Sequence, residues 1–307
     1  MSEQKKYLIV IGGPTASGKT ALAIELAKHF DTEIISADSR QFYKELNIGV
    51  AKPSLEELQS AKHHFIGHIS IHNPLSAGEF EKQALSVLEN LFKTRDVAIM
   101  VGGSGLFINA ILHGFHEAPK DDGSIRKKLE NQYAQHGLTY LQNELKRIDS
   151  DYYNKIDLQN PQRLMRAIER VLLSGKTNEE QTAKQLSNRH FEILEFAIDY
   201  PREELYNRIN QRVDEMIKNG LIAEVENLAP FKQLNALQTV GYAELFDYFD
   251  GKSTLNEAVD KIKQNTRRYA KRQITWFKNK SNSAWIDNNI GFDFIKSHLD
   301  FYSTPST

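Results

Sequence analysis

The octapeptide Gly13-Pro14-Thr15-Ala16-Ser17-Gly18-Lys19-Thr20 satisfies G-x-x-x-x-G-K-[ST] at every fixed position. Glycines let successive backbone N–H groups turn inward around a phosphate, and a following helix adds the positive end of its dipole. Lys19 supplies a mobile cation, and Thr20 a hydroxyl suited to Mg2+. Such a loop grips a nucleotide such as ATP, or a bare diphosphate. Hydrolytic ATPases of this type carry an acid after a later apolar strand. Here the run 97–101 ends instead in Gly102-Gly103-Ser104-Gly105. The first acid at a predicted strand end is Asp38, beyond the carboxyl end of its strand, where ligands of parallel sheets gather. It could hold magnesium indirectly, act as a base toward an incoming nucleophile, or simply cap a helix.

These groups need elements to carry them. Residues 7–13 read as a buried strand running into the loop, and 19–30 follow with apolar residues at the helical period. Further strands are predicted at 33–37, 65–69, 97–102, 193–198 and 284–286, with helices such as 77–93 between the early ones. That alternation predicts a doubly wound, mainly parallel α/β sheet. Strand signals vanish across the next stretch, where 124–136, 139–148 and 161–173 read as helices. The expected organisation is a core over 1–114, an inserted all-helical domain over 115–190, and a return to the core over 191–307. The C-terminal part is mostly helical, with helices at 203–218, 221–228 and 255–278.

Composition narrows the class of protein. With 307 residues, 40% hydrophobic and 26% charged, the chain is ordinary globular material, and no apolar run could span a bilayer. The absence of cysteine excludes disulfide scaffolds, cysteine zinc sites, iron–sulfur clusters and thiol chemistry. The expected location is the cytoplasm. The net charge of −1 hides a strong asymmetry: residues 261–280 hold eight basic side chains and no acid. Such a block is a footprint for a polyanion, or a solvated helix face. His63, His64, His68 and His72 superficially resemble a metal set. On a strand, however, residues four apart lie about 13 Å apart, too far to share one ion.

Taken in order, GPTASGKT (13–20), ADSRQFY (37–43), AKPS (51–54), VGGSGLF (101–107), PQRLMRA (161–167), VGY (240–242) and KRQITWF (271–277) resemble the tRNA dimethylallyltransferases, or tRNA isopentenyltransferases. The resemblance spans about residues 8–278. It implies that dimethylallyl diphosphate donates its five-carbon group to N6 of adenine 37 beside the tRNA anticodon, with release of diphosphate. It also implies that the helical insertion clasps the anticodon stem-loop. The 13–20 loop, with Thr15 and Lys19 at the reacting end, would hold the diphosphate, and Thr20 the Mg2+. On the helix after Pro201, Arg208 and Arg212 share a face, and Arg208 is taken as the second diphosphate contact.

The aromatic amine attacks better as its proton is withdrawn, which suits Asp38 as general base. Contacts to the extruded nucleotide and the rest of the tRNA would come from Asp38, Ser39, Arg40, Gln41 and Ser104. Arg126, the run Gln162, Arg163, Leu164, Met165 and Arg166, then Gln238 and Gly241, and finally Lys271, Arg272 and Gln273 complete that set. Tyr269 and Trp276 are candidates for stacking or for core packing. The chain departs from the family with Ser104 and Phe107 where threonine and tyrosine are usual; phenylalanine loses a hydroxyl. A monomer is expected. A small-molecule kinase would share the loop and the acid, but leaves the basic block and the 102–105 glycines unexplained. A non-catalytic RNA-binding module is the third reading.

Overall fold

The computed structural model describes residues 5–115, 122–178, 189–287 and 289–303. Its centre is a six-stranded, all-parallel sheet in the order β3-β2-β4-β1-β5-β6. The strands are β1 (Tyr7–Gly12), β2 (Ile34–Ser36), β3 (His63–His64), β4 (Val97–Val101), β5 (Glu192–Asp199) and β6 (Ala284–Asp287). β1 and β4 are buried along their whole length, as the unbroken apolar runs YLIVIG and VAIMV require of strands covered on both faces. Helix α1 (Lys19–His29) buries Leu22, Ala23, Leu26 and Ala27 in the cluster formed with Ile9, Ile11, Ile99 and Phe196.

Two compact units result: one comprises residues up to 112 together with those from 189 onward, the other 113–188. In the first, α2 (Leu55–Ser60), α3 (Ala77–Leu91) and α4 (Gly105–His113) connect the early strands. In the second, α5 (Ser124–His136), α6 (Leu138–Ile148), the single turn α7 (Ser150–Tyr153) and α8 (Pro161–Ser174) enclose their own core of Leu129, Leu141, Leu145, Leu164, Met165 and Ile168. Back in the first unit follow α9 (Arg202–Lys218), α10 (Leu221–Leu228), α11 (Ala243–Phe249), α12 (Leu255–Lys280) and α13 (Gly291–Ser303). Together α9 to α12 bury a separate cluster that includes Val213, Leu221, Val225, Tyr242, Leu245 and Ile262. Among the described residues no helix is long and apolar enough to cross a membrane.

One predicted strand is displaced. The strand expected over 65–69 forms instead just before it, at His63–His64. Phe65 (φ 65°) and Gly67 (φ 56°) then turn the chain, and Ile69 forms an isolated bridge with Tyr43. Burial of the Phe65 ring against Phe42 and Phe80 favours that turn over an extended edge. The histidines are thereby engaged elsewhere: His63 Nδ1 lies 2.8 Å from the Ala61 carbonyl, His64 Nε2 lies 2.5 Å from Glu33, and His68 packs on Phe42 and Phe65. Helices α2, α4, α7, α11 and α13 lie outside the predicted helices; glycine opens both α4 and α13, which weakens the local signal for a helix start.

Candidate active site

Three strands of the sheet deliver their functional residues to the same end. After β1 the chain turns through residues 13–18, with Ala16 at φ 63° and Gly18 at φ 90°, and α1 begins at Lys19. After β2, Ala37 N–H donates to the Val101 carbonyl (2.7 Å), which places Asp38 beside the end of β4. After β4, Gly102 N–H donates to the Ile11 carbonyl and Ser104 N–H to Ala37 (3.1 and 3.3 Å). These cross-links stitch the three loops together. A β-carbon on Gly102 would sit 2.5 Å from the Ala37 carbonyl carbon, so Gly102→Ala must push two strand ends apart. We expect it to cost about 1–3 kcal/mol, read as a lowered melting temperature.

Helix α12 closes the cleft from above. Gln273 is 5% exposed; its amide oxygen accepts from Thr15 N–H (2.8 Å) and its amide nitrogen donates to the Gly103 carbonyl (3.1 Å). Trp276 lies over Gly105, where any side chain would collide with the indole. The KRQITWF motif thus resolves into a buried strut, Gln273, and two exposed cations, Lys271 and Arg272. Gln273, expected as an RNA contact, is thus a buried tie between the 13–20 turn and the β4 loop, and it also borders the cavity at that turn.

Two cavities meet in this unit. One, of 320 Å3, is lined by the turn from Thr15 to Thr20, by Lys52, Arg208 and Arg212, and by Asp38. The other, of 390 Å3, has a mixed wall that includes Ile209, Met216, Val240, Tyr269, Arg40 and Arg272. Thr15, Asp38 and Arg212 border both. Lys19 folds back onto the Pro14 carbonyl (2.5 Å), and Arg208 donates to the Ala16 carbonyl (2.8 Å) while stacking on Tyr200. Among the described residues Lys19, Arg208 and Arg212 form no close ion pair, so the first cavity gathers four cations, Lys52 included, against the carboxylates of Asp38 and Glu57.

That concentration is visible in the acidities. Burial, reinforced by Arg212 and opposed by Asp38, lowers Lys19 to about 8. Burial and the neighbouring Arg208 also lower Arg212. Burial raises Asp38, against the pull of the Arg40 N–H and the Lys19 ammonium. A carboxylate that holds protons more readily than usual, at the junction of two cavities, is equipped to accept one.

The remaining sequence candidates divide by exposure. Ser39 N–H donates to the Ser104 hydroxyl (3.2 Å), and Arg40 reaches the Asn235 and Ala236 carbonyls while lining the larger cavity. Gln41 donates to the Val50 and Ala51 carbonyls (3.3 and 2.9 Å), so its amide shapes a cavity wall. Gln238 is exposed, but Gly241 is buried, and its N–H is taken by Glu244 (2.8 Å). In the helical unit, α8 turns Gln162, Arg163 and Arg166 outward and Leu164 and Met165 into its core. Gly241, Leu164 and Met165, expected as RNA contacts, thus occupy buried positions: the helical period turns Leu164 and Met165 into the core, and Gly241 sits in a buried turn at φ 95°. Arg126 pairs with Glu130 and Glu169 (3.0 and 3.4 Å) and bonds Gln162. Phe107 packs edge-on against Phe42 and Phe80.

Sequence reasoning missed the 49–53 wall, the apolar side formed by Ile209, Val213 and Met216, and Glu224, which binds the 47–49 backbone. The AKPS motif was a signal for the first; nothing local marked the others.

A parallel six-stranded sheet flanked by helices, its strand ends converging on a cationic cleft with an embedded carboxylate, defines an α/β protein. The model of the IPP transferase family matches residues 41–280, and the chain belongs to that family. A tRNA dimethylallyltransferase of Flavobacterium johnsoniae is 52% identical over 288 residues, covering 92% of this chain and 93% of its own length. One from Christiangramia forsetii is 49% identical, covering 96% and 99%. Among solved structures, the tRNA isopentenylpyrophosphate transferase of Staphylococcus epidermidis aligns with a TM-score of 0.71 at 36% identity, covering 97% of this chain and all of its own. A eukaryotic dimethylallyltransferase acting on tRNA aligns at 0.82 and 25%, covering 97% and 80%.

Proposed function

We propose that this protein transfers the dimethylallyl group of dimethylallyl diphosphate to N6 of adenosine 37 in tRNA, releasing diphosphate. The observation that carries the reading is the pair of adjoining cavities that share Thr15, Asp38 and Arg212. The cationic one accommodates the diphosphate, with the 13–20 turn acting as a phosphate loop. The mixed one accommodates the flipped-out base, with the donor's five-carbon group reaching it from the cationic side. The relatives named above support the same chemistry.

In this mechanism the allylic C–O bond breaks as negative charge grows on the leaving diphosphate. Backbone N–H groups of the turn, Lys19, Arg208 and Arg212 stabilise that charge. The N6 lone pair forms the new C–N bond, and the Asp38 carboxylate takes the departing proton. Mg2+ fits the donor set: the Thr20 hydroxyl lines the cationic cavity and makes no hydrogen bond among the described residues, and Asp38 offers a carboxylate in the same cavity. Hard cations take such oxygens together with phosphate oxygens and water. When bound, the ion adds positive charge beside the diphosphate.

The exposed Gln162, Arg163 and Arg166 of the helical unit, with Lys271 and Arg272 of α12, contribute RNA backbone contacts. Neutralising Lys271 and Arg272 together should weaken RNA binding and reduce the slope of log affinity against log salt by about 1.5. An unchanged slope in a salt titration removes them from the interface. The reading takes the protein to be a monomer acting on tRNA in the cytoplasm.

The direct test incubates the protein with anticodon-stem RNA, Mg2+ and either labelled dimethylallyl diphosphate or labelled ATP. Label from the first should appear in adenosine. Phosphate transfer from ATP to a small acceptor, or tight RNA binding without any transfer, overturns the proposal.

A further inference from the structure

Residues 49–51 wall the mixed cavity, and Val50 and Ala51 also border the cationic one. Their backbone is constrained: Ala51 has φ 48°, a region that a residue bearing a side chain occupies only when its surroundings impose it. Much of the constraint comes from one carboxylate outside both cavities. Glu224, on α10, accepts from the N–H groups of Asn47 (3.2 Å), Ile48 (2.9 Å) and Gly49 (3.0 Å). The same carboxylate accepts from the Tyr242 hydroxyl (2.6 Å).

Tyr242 is fully buried, and a β-carbon on Gly49 would sit 2.5 Å from its ring. It lies two residues beyond Val240, which with Gln238 and Thr239 forms another part of the wall of the mixed cavity. Gln41 and Lys52 secure the far side of the loop, through the Val50 and Ala51 carbonyls and through the Tyr43 carbonyl and Asn47 side chain (2.6 and 3.0 Å). One anion therefore joins two walls of the cavity in which the acceptor would sit.

We propose that Glu224 is a positioning residue, which fixes the 47–51 wall and, through Tyr242, locks it to the 238–242 wall so that donor and acceptor meet in line. The inference rests on the transfer reading. The cations that grip the diphosphate and the RNA backbone lie elsewhere, so loosening the wall should spoil alignment more than binding. Alignment lost by about 1 Å can cost about 100-fold in rate.

Glu224→Gln keeps the size of the side chain but turns one acceptor into a donor facing N–H groups. Turnover should fall about 10–100-fold. The KM of each substrate should stay within about threefold and the melting temperature within a few degrees, while amide exchange at residues 47–49 accelerates. Tyr242→Phe removes only the hydroxyl; it should lower turnover about threefold to tenfold, with exchange at 47–49 unchanged. Unchanged turnover in both variants, a loss carried wholly by KM, or unchanged exchange at 47–49 in Glu224→Gln overturns the inference. If Glu224→Gln does not fold, turnover of Tyr242→Phe decides: a wild-type value overturns the coupling. The exchange measurement needs no turnover, so absence of transfer by the wild-type protein defeats the proposed function without deciding the clamp.

Discussion

Asp38→Ala should lower the turnover of dimethylallyl transfer about 1,000-fold while RNA affinity stays within about twofold. The acceptor nitrogen shares its lone pair with the purine ring, so it becomes an effective nucleophile only as its proton leaves. Asp38 is the carboxylate that borders both cavities, and burial has raised its affinity for protons. A base acts mainly in the transition state, so its loss appears in the rate. An equal loss in RNA affinity would make Asp38 a binding residue instead.

Lys19→Ala should cost about 100–1,000-fold in turnover, the range for removal of a preorganised group from developing negative charge. The two residues also set the pH profile. A carboxylate with a raised pKa is protonated, and useless as a base, as pH falls through that raised value; kcat/KM declines on the acid side. Lys19, lowered to about 8 in the free protein, loses its charge as pH rises through that value, so kcat/KM for the donor declines on the alkaline side. The expected curve is a bell. Its acid limb should disappear in Asp38→Ala and its alkaline limb in Lys19→Ala, measured by single-turnover kinetics across pH 5–10. Limbs that persist in the corresponding variants would assign the ionisations to other groups.

Chemistry concentrated in short contiguous runs was legible before any coordinates. The 13–20 turn, Asp38 and the long α12 follow from local rules: glycine placement, strand-end position, a capping box at Thr254 and Glu257. The helical period also located α5, α8 and α10 to within a residue or so. What the sequence concealed is long-range partnership. Gln273 reads as one more polar residue of a basic helix, yet its buried amide spans from Thr15 to Gly103. Glu224 reads as an exposed helix acid, and only tertiary packing puts three backbone amides within its reach. The displaced strand at 65–69 failed for a related reason: its β-prone residues found better burial in the aromatic cluster around Phe42 and Phe80 than in a sheet edge.

The order of the sheet has a consequence for how the polypeptide matures. β1 has neighbours on both sides, β4 and β5, yet β5 emerges from the ribosome about a hundred residues after β4. At ordinary synthesis rates the free edge of β1 waits about 5–20 s for its second neighbour. During that interval a row of unpaired backbone amides flanked by Leu8, Val10 and Ile11 invites pairing with other nascent chains. Slowed elongation across 113–188 should therefore increase aggregation of newly made protein, and chaperones that shield strand edges should bind the chain most strongly before residue 199 is complete.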